Sequence, residues 1–232
     1  VNRNDKGMEF MDKSKVLELA SSIESPVGIA NVVGFHHPRS VGSMFSFSIR
    51  PDAKDVDHYV PYIAQGGLSL PAKPYYLIES DRFNKIRAEY KNHIANMFAL
   101  CEMQISPKEA EAIFNVEKQL AEVSRSHADN RDDLLKYNPM SKDEIIASYP
   151  NFDWNKYFEK IGLTKTDKII VEQPEFFQGM NDMMTSVSME HWRLYLQWKA
   201  IHKFAKCMTK KHFDEDFNFY SKTLRGKQKM SE

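Results

Sequence analysis

Eight histidines, two cysteines and the carboxylates are the side chains of this sequence best suited to bind a metal. A metal-activated hydrolase needs two histidines one helical turn apart with a glutamate beside the first. That spacing puts two ligands and a general base on one helix face. None of the histidines has this setting: His191 follows Glu190 with no histidine one turn on, and His202 and His212 stand far apart. All three are expected on solvated or partly buried helix faces. His36 and His37 are adjacent, so on a helix their side chains diverge by about 100° and cannot share an ion. A helix end that favours cations accounts for them better. Asp52, Asp55 and Asp57 resemble a calcium loop but lack the turn glycine and the closing glutamate, so solvated loop carboxylates are expected. Cys101 and Cys207 have no metal-type spacing and read as buried thiols. There is no Gly-x-Ser-x-Gly elbow, no phosphate-cradling glycine loop and no dinucleotide fingerprint. Asp132 has no evident partner base or metal. The sequence carries no recognisable catalytic machinery.

The chain is organised around Gln65 to Leu77, read as QGGLSLPAKPYYL. Upstream, Met44 to Ile49 and His58 to Ile63 alternate in period two and predict an antiparallel pair, with Pro61 placed at an edge. Downstream, from Asp81, the period becomes helical. Gly66 and Gly67 permit positive φ between the two regimes, and Pro71 and Pro74 are expected to hold the following residues extended. In chain order, helices are predicted over Met8 to Ile23 and from Pro26 to Phe35 behind an Ser25 cap. Others run from Asp81 to Phe98, from the Ser106 capping box to Val123, and behind the Ser141-x-x-Glu144 box. Asp153 caps a helix that Gly162 ends, and Pro174 opens another carrying Met180, Met183 and Met184, which read as core gap-fillers. Met189 to Met208 and Asp214 to Leu224 complete the set, and Lys168 to Glu172 is an isolated third strand. The fold class is mainly α: a helical bundle lobe with a small antiparallel β element near the front and one further short strand. It is read as a single lobe, with a β-containing front part over 1–80 and a helical body over 81–232.

At 232 residues the chain can bury a substantial core. Thirty-two basic residues balance thirty-two acidic ones, so no net field draws it to nucleic acid. No apolar window is long enough to span a membrane, and the polar start from Val1 is no signal peptide. The missing initiator Met suggests that the sequence begins inside a longer protein.

The string Gln65-Gly66-Gly67-Leu68-x-Leu70-Pro71 followed by Tyr75-Tyr76-Leu77 resembles the N-terminal helical region of the neprilysin and endothelin-converting-enzyme family of zinc metallopeptidases. Glu117 to Ala121 is similar to the family's Glu-x-x-Leu-Ala helix. Asn130-Arg131-Asp132 with Tyr137-Asn138-Pro139-Met140 looks like its Arg-Asp…Tyr-Asn-x-Met segment. Asp153-Trp154, Ile169 to Phe177, Tyr195 to Trp198 and Phe217 to Gly226 follow in the family's order. The resemblance implies structural rather than catalytic roles for Gln65, Gly66, Gly67, Leu68, Leu70, Pro71, Tyr75, Tyr76, Arg131, Asp132, Tyr137, Asn138, Trp154 and Trp198. It implies a bacterial-type relative whose zinc, and whose His-Glu-x-x-His, belong to a catalytic lobe downstream of Glu232, with no cofactor in this chain. The expected partners are that catalytic lobe and short peptide substrates, and the expected location is extracytoplasmic (periplasmic, lipoprotein or secreted). The alternative is a stand-alone helical peptide-binding or interaction module without catalysis.

Overall fold

The computed structural model describes residues 13–166 and 168–227. Helix α1 (Lys13–Ser21) is the described part of the first predicted helix, and Met8 to Asp12 lie outside the described residues. Next come α2 (Pro26–His36), β1 (Phe45–Asp52), β2 (Asp55–Gln65), α3 (Pro74–Leu77), α4 (Asp81–Leu100) and α5 (Pro107–Val123). The second half holds β3 (Pro139–Met140), α6 (Lys142–Ser148), α7 (Trp154–Lys160), β4 (Ile169–Val171), α8 (Pro174–Ser186), α9 (Met189–Phe204) and α10 (Lys210–Asp216). After α10 the backbone widens into a π-helical stretch over Phe217–Thr223 instead of continuing as an ordinary helix.

Local signals set most of these boundaries. Ser106 and Ser141 each form both bonds of a capping box, with Glu109 and Glu144. Asp153 caps α7 through Lys156 N at 2.8 Å, and Gly162 leaves that helix with φ 73°. Ser25 precedes α2 in extended backbone but makes no side-chain cap bond, so Pro26 alone marks that start. Pro74 opens the short α3 rather than prolonging an extended segment.

The third strand is not isolated. The sheet order is β1-β2-β4-β3: β1 and β2 form the antiparallel hairpin, β4 runs parallel to β2, and β3 closes antiparallel on β4. β2 is therefore an inner strand. Pro61 is tolerated there because pairing with β4 begins only at Tyr62↔Ile170, one residue after the missing N–H.

Two packed clusters flank α5 and α9. One holds Phe45, Trp154, Tyr157, Phe177 and Trp192; the other holds Tyr76, Tyr90, Phe98, Phe114 and Trp198. α5 turns Val116 and Leu120 to the first and Ile113 and Ala121 to the second, while α9 gives Trp192 and Tyr195 to one and Leu194 and Trp198 to the other. Covered on opposite faces, α9 is buried continuously from Leu194 to Ile201, including the polar Gln197 and Lys199. Met180, Met183 and Met184 lie inside the first cluster.

Candidate functional site

The Gln65–Leu77 segment wraps the junction of the two clusters, and its glycines are needed for different reasons. Gly67 has φ 82°, and a Cβ there would lie 2.6 Å from Met44 O and from Tyr195 Oη. Gly66 does not take positive φ among the described residues; it is small because a Cβ would stand 2.9 Å from the Phe45 and Ser46 backbone. The Tyr195 hydroxyl locks this approach, accepting from Met44 N at 2.9 Å and donating to Gly67 O at 2.8 Å. Beyond the turn, Leu70 and Tyr76 are buried, Leu68 is half-buried and Pro71 is exposed. Tyr75 packs its ring against Phe83.

Tyr76 leads to a buried polar centre. Its hydroxyl accepts from Leu70 N at 2.8 Å and Ser69 N at 3.1 Å, and donates to Glu117 Oε2 at 2.7 Å. Glu117, fully buried on α5, also accepts from Tyr90 Oη at 2.8 Å and Ser69 Oγ at 2.6 Å. Trp198 Nε1 donates to Tyr90 Oη at 2.9 Å, tying α9 to α4. Lys199 Nζ lies 2.8 Å from Ser69 Oγ and 3.9 Å from Glu117 Oε1. Burial, with the Glu117 charge next, pushes the Tyr76 and Tyr90 phenols well above their ordinary range. Burial lowers the Lys199 ammonium against the opposing pull of Glu117. A serine beside a lysine invites comparison with a nucleophile and its base. Here the Ser69 proton is committed to Glu117 while the ammonium occupies a lone pair of the same oxygen, so the hydroxyl is a brace between two charges.

A second junction brings separate motifs together. Gln65 pairs its side-chain amide with the Arg125 peptide, Oε1 accepting from Arg125 N at 2.8 Å and Nε2 donating to Arg125 O at 3.2 Å. Gln65 N donates to Gln173 Oε1 at 2.8 Å, and Gln173 Nε2 donates to Asn130 Oδ1 at 3.0 Å. Arg125 grips Glu175 bidentately and donates through Nη1 to Leu135 O at 3.1 Å and Glu172 O at 3.2 Å. Asn138 Nδ2 reaches Leu135 O and Val171 O, both at 3.0 Å. Arg131 and Asp132 are exposed: Asp132 accepts from Leu134 N at 2.9 Å, and the Arg131 side chain has no polar partner among the described residues. Between the two junctions lies a groove of about 540 Å³, lined by Gly66, Leu68, Pro71, Pro74, Leu77 and His127 among others.

Four sequence expectations change. Asp52 is buried, not solvated: it holds Lys168, accepts from Tyr137 Oη at 2.9 Å and Lys54 N at 3.0 Å, and these contacts keep its carboxyl down at about 2. His36 and His37 are not helix-end cations. Burial lowers them to about 3 and about 4, and His36 Nδ1 meets Ser43 Oγ at 2.6 Å while His37 Nδ1 meets Tyr157 Oη at 2.7 Å. Cys101 is buried but Cys207 is exposed. Of the helix histidines, His191 is exposed and His202 half-buried, whereas His212 is fully buried rather than at a solvated face, set between Thr209 Oγ1 at 2.8 Å and Cys101 Sγ at 3.6 Å. Trp154 is buried and donates to Tyr149 O at 3.0 Å. Among the described residues no group of three or more His, Cys, Asp or Glu could hold a metal, and no helix is long and apolar enough to cross a membrane.

Residues 6–232 match the N-terminal model of Peptidase family M13, and the chain belongs to that family. It is 26% identical to Neprilysin-3 of Drosophila melanogaster over 204 residues, covering 82% of this chain and 26% of that protein. It is 24% identical to a Neutral endopeptidase of Lactococcus lactis over 172 residues, covering 74% of this chain and 27% of that one. The fold matches the Mycobacterium tuberculosis zinc metalloprotease in complex with an inhibitor with TM-score 0.90 at 26% identity, covering 99% of this chain and 36% of that chain. The same metalloprotease in its open state matches with TM-score 0.86. The chain thus spans about a quarter of the length of the sequence relatives and about a third of the matched structure.

Proposed function

We propose that residues 1–232 act as the single non-catalytic N-terminal lobe of a neprilysin-like zinc metalloendopeptidase. In this reading the longer polypeptide cleaves short peptides through zinc-activated water, and the lobe roofs the substrate cavity and limits substrate size. Zinc would be held by the catalytic lobe, the intramolecular partner of this one, in an extracytoplasmic setting. The observation carrying the reading is the match of 99% of the chain to about a third of an inhibitor-bound zinc metalloprotease. Gln65, Gly66, Gly67, Tyr76, Trp154 and Trp198 then serve as scaffold, and a lobe braced by Glu117 and Arg125 has the rigidity a cavity wall requires. A stand-alone binding module differs in having no His-Glu-x-x-His further along its reading frame. The test presents the longer polypeptide with a peptide of about ten residues and with the same sequence inside a folded protein. Selective, chelator-sensitive cleavage of the short form is expected. Equal cleavage of both would remove the size-limiting role.

A further inference from the structure

One exposed segment is held more firmly than its surroundings require. Leu134 is 88% exposed and Leu135 48% exposed, beside the Arg131 guanidinium, which has no polar partner among the described residues, and the Asp133–Lys136 ion pair. Both ends of this turn are anchored from inside the lobe. At one end the buried Gln173 holds the Asn130 side chain, and at the other Leu135 O accepts from both Arg125 and Asn138. Such bracing presents apolar side chains to water in a fixed geometry, which lowers the ordering cost of a later contact. We propose that Arg131–Leu135 is a docking contact through which this lobe meets the zinc-bearing remainder of its own polypeptide, an inference that rests on the functional reading above.

Patch size and chain length select the occupant. Two leucines and an arginine offer on the order of a few hundred Å², well short of the roughly 1,000 Å² a separate protein or second copy needs for a stable complex. A tethered partner needs far less, because the linkage supplies an effective concentration in the millimolar range. The matched relatives are about four times as long as the region aligned here, so such a partner exists in their case. A small contact is also one that can break and re-form as substrate enters and leaves.

The test uses the longer polypeptide with Cys207→Ser to remove the exposed native thiol and Leu134→Cys carrying a benzophenone. Irradiation, with and without a zinc-chelating peptide inhibitor, is followed by digestion and mass mapping. Cross-links from position 134 to residues beyond 232, rising several-fold with inhibitor, are expected. Products confined to residues 1–232, or joining two copies, would overturn the proposal. Separately, Leu134→Asp is expected to lower kcat/KM for short peptides by about fivefold, less than one power of ten of transition-state stabilisation, with an unchanged urea midpoint. Unchanged kcat/KM would count against the contact. If the longer polypeptide shows no chelator-sensitive turnover, the functional reading fails, while the cross-link map still decides the docking.

Discussion

Replacing Glu117 with leucine tests the physics of the lobe most severely. The wild-type carboxylate is fully buried and accepts three hydroxyl hydrogen bonds, from Ser69, Tyr76 and Tyr90. Glu117→Leu leaves those hydroxyls short of an acceptor and strands Lys199, which is 3% exposed and among the described residues keeps Ser69 Oγ as its hydrogen-bond partner. Breaking a buried pair by removing one member costs roughly 3–5 kcal/mol. A domain of ordinary stability has about 5–15 kcal/mol in total. Glu117→Gln retains one acceptor and should cost less, about 1–3 kcal/mol. The double variant Glu117→Leu with Lys199→Met removes the stranded charge, so a favourable coupling of about 1–3 kcal/mol is expected in the cycle. Urea unfolding followed by tryptophan fluorescence is the assay, since Trp154, Trp192 and Trp198 are all fully buried. A Glu117→Leu midpoint within error of wild type, or a double variant that shows no coupling, would refute the reasoning.

Gly67→Val should destabilise by at least about 2 kcal/mol, the left-handed penalty plus a clash, whereas Gly162→Ala, also left-handed but facing open space, should cost only about 1 kcal/mol; equal urea midpoints would contradict the contacts at Gly67. Tyr195→Phe removes the bridge between Met44 N and Gly67 O and should cost about 1–3 kcal/mol in the same assay. His36 and His37 are neutral when folded, at about 3 and about 4, against an ordinary 6.5, so unfolding takes up protons in this window. Their contribution is complete above pH 6.5 and is lost as pH falls to about 4 for His37 and about 3 for His36, at up to roughly 1.4 kcal/mol per pH unit for each. His36→Asn should flatten that slope in a pH series of urea melts, and an unaltered slope would exclude His36 as its source.

The helices were legible because their signals are local: a serine three residues ahead of a glutamate, a proline in the first turn and apolar residues every three to four positions each act within one segment. The hairpin was legible for the same reason, through Phe45, Phe47 and Ile49 alternating with serines. What escaped was assembled across the chain. The parallel pairing of Tyr62 with Ile170 joins residues with no common local pattern, so β4 read as isolated. Asp52 looked like a loop carboxylate because its partners Tyr137 and Lys168 come from distant segments. In the sequence Glu117 stands out only within a family string, and Arg125, Gln173, Tyr195 and Lys199 show no polar task. Their donors and acceptors meet only after α5 and α9 have packed between the two clusters. Within the Gln65–Leu77 string the two glycines look alike in sequence, but their roles divide by geometry: Gly67 needs its φ, while Gly66 needs space.

In the proposed function, peptide hydrolysis belongs to the longer polypeptide and this chain contributes scaffold. The most direct measurement compares the purified 232-residue chain with the longer polypeptide, recording zinc content by atomic emission and turnover of a quenched fluorescent peptide in added zinc. A water nucleophile at neutral pH needs the metal to bring its pKa near 7 and a second shell to hold the ligands. About one zinc and chelator-sensitive turnover are expected for the longer polypeptide, and neither for the chain alone. Stoichiometric zinc with chelator-sensitive turnover from the isolated chain would contradict the proposed function.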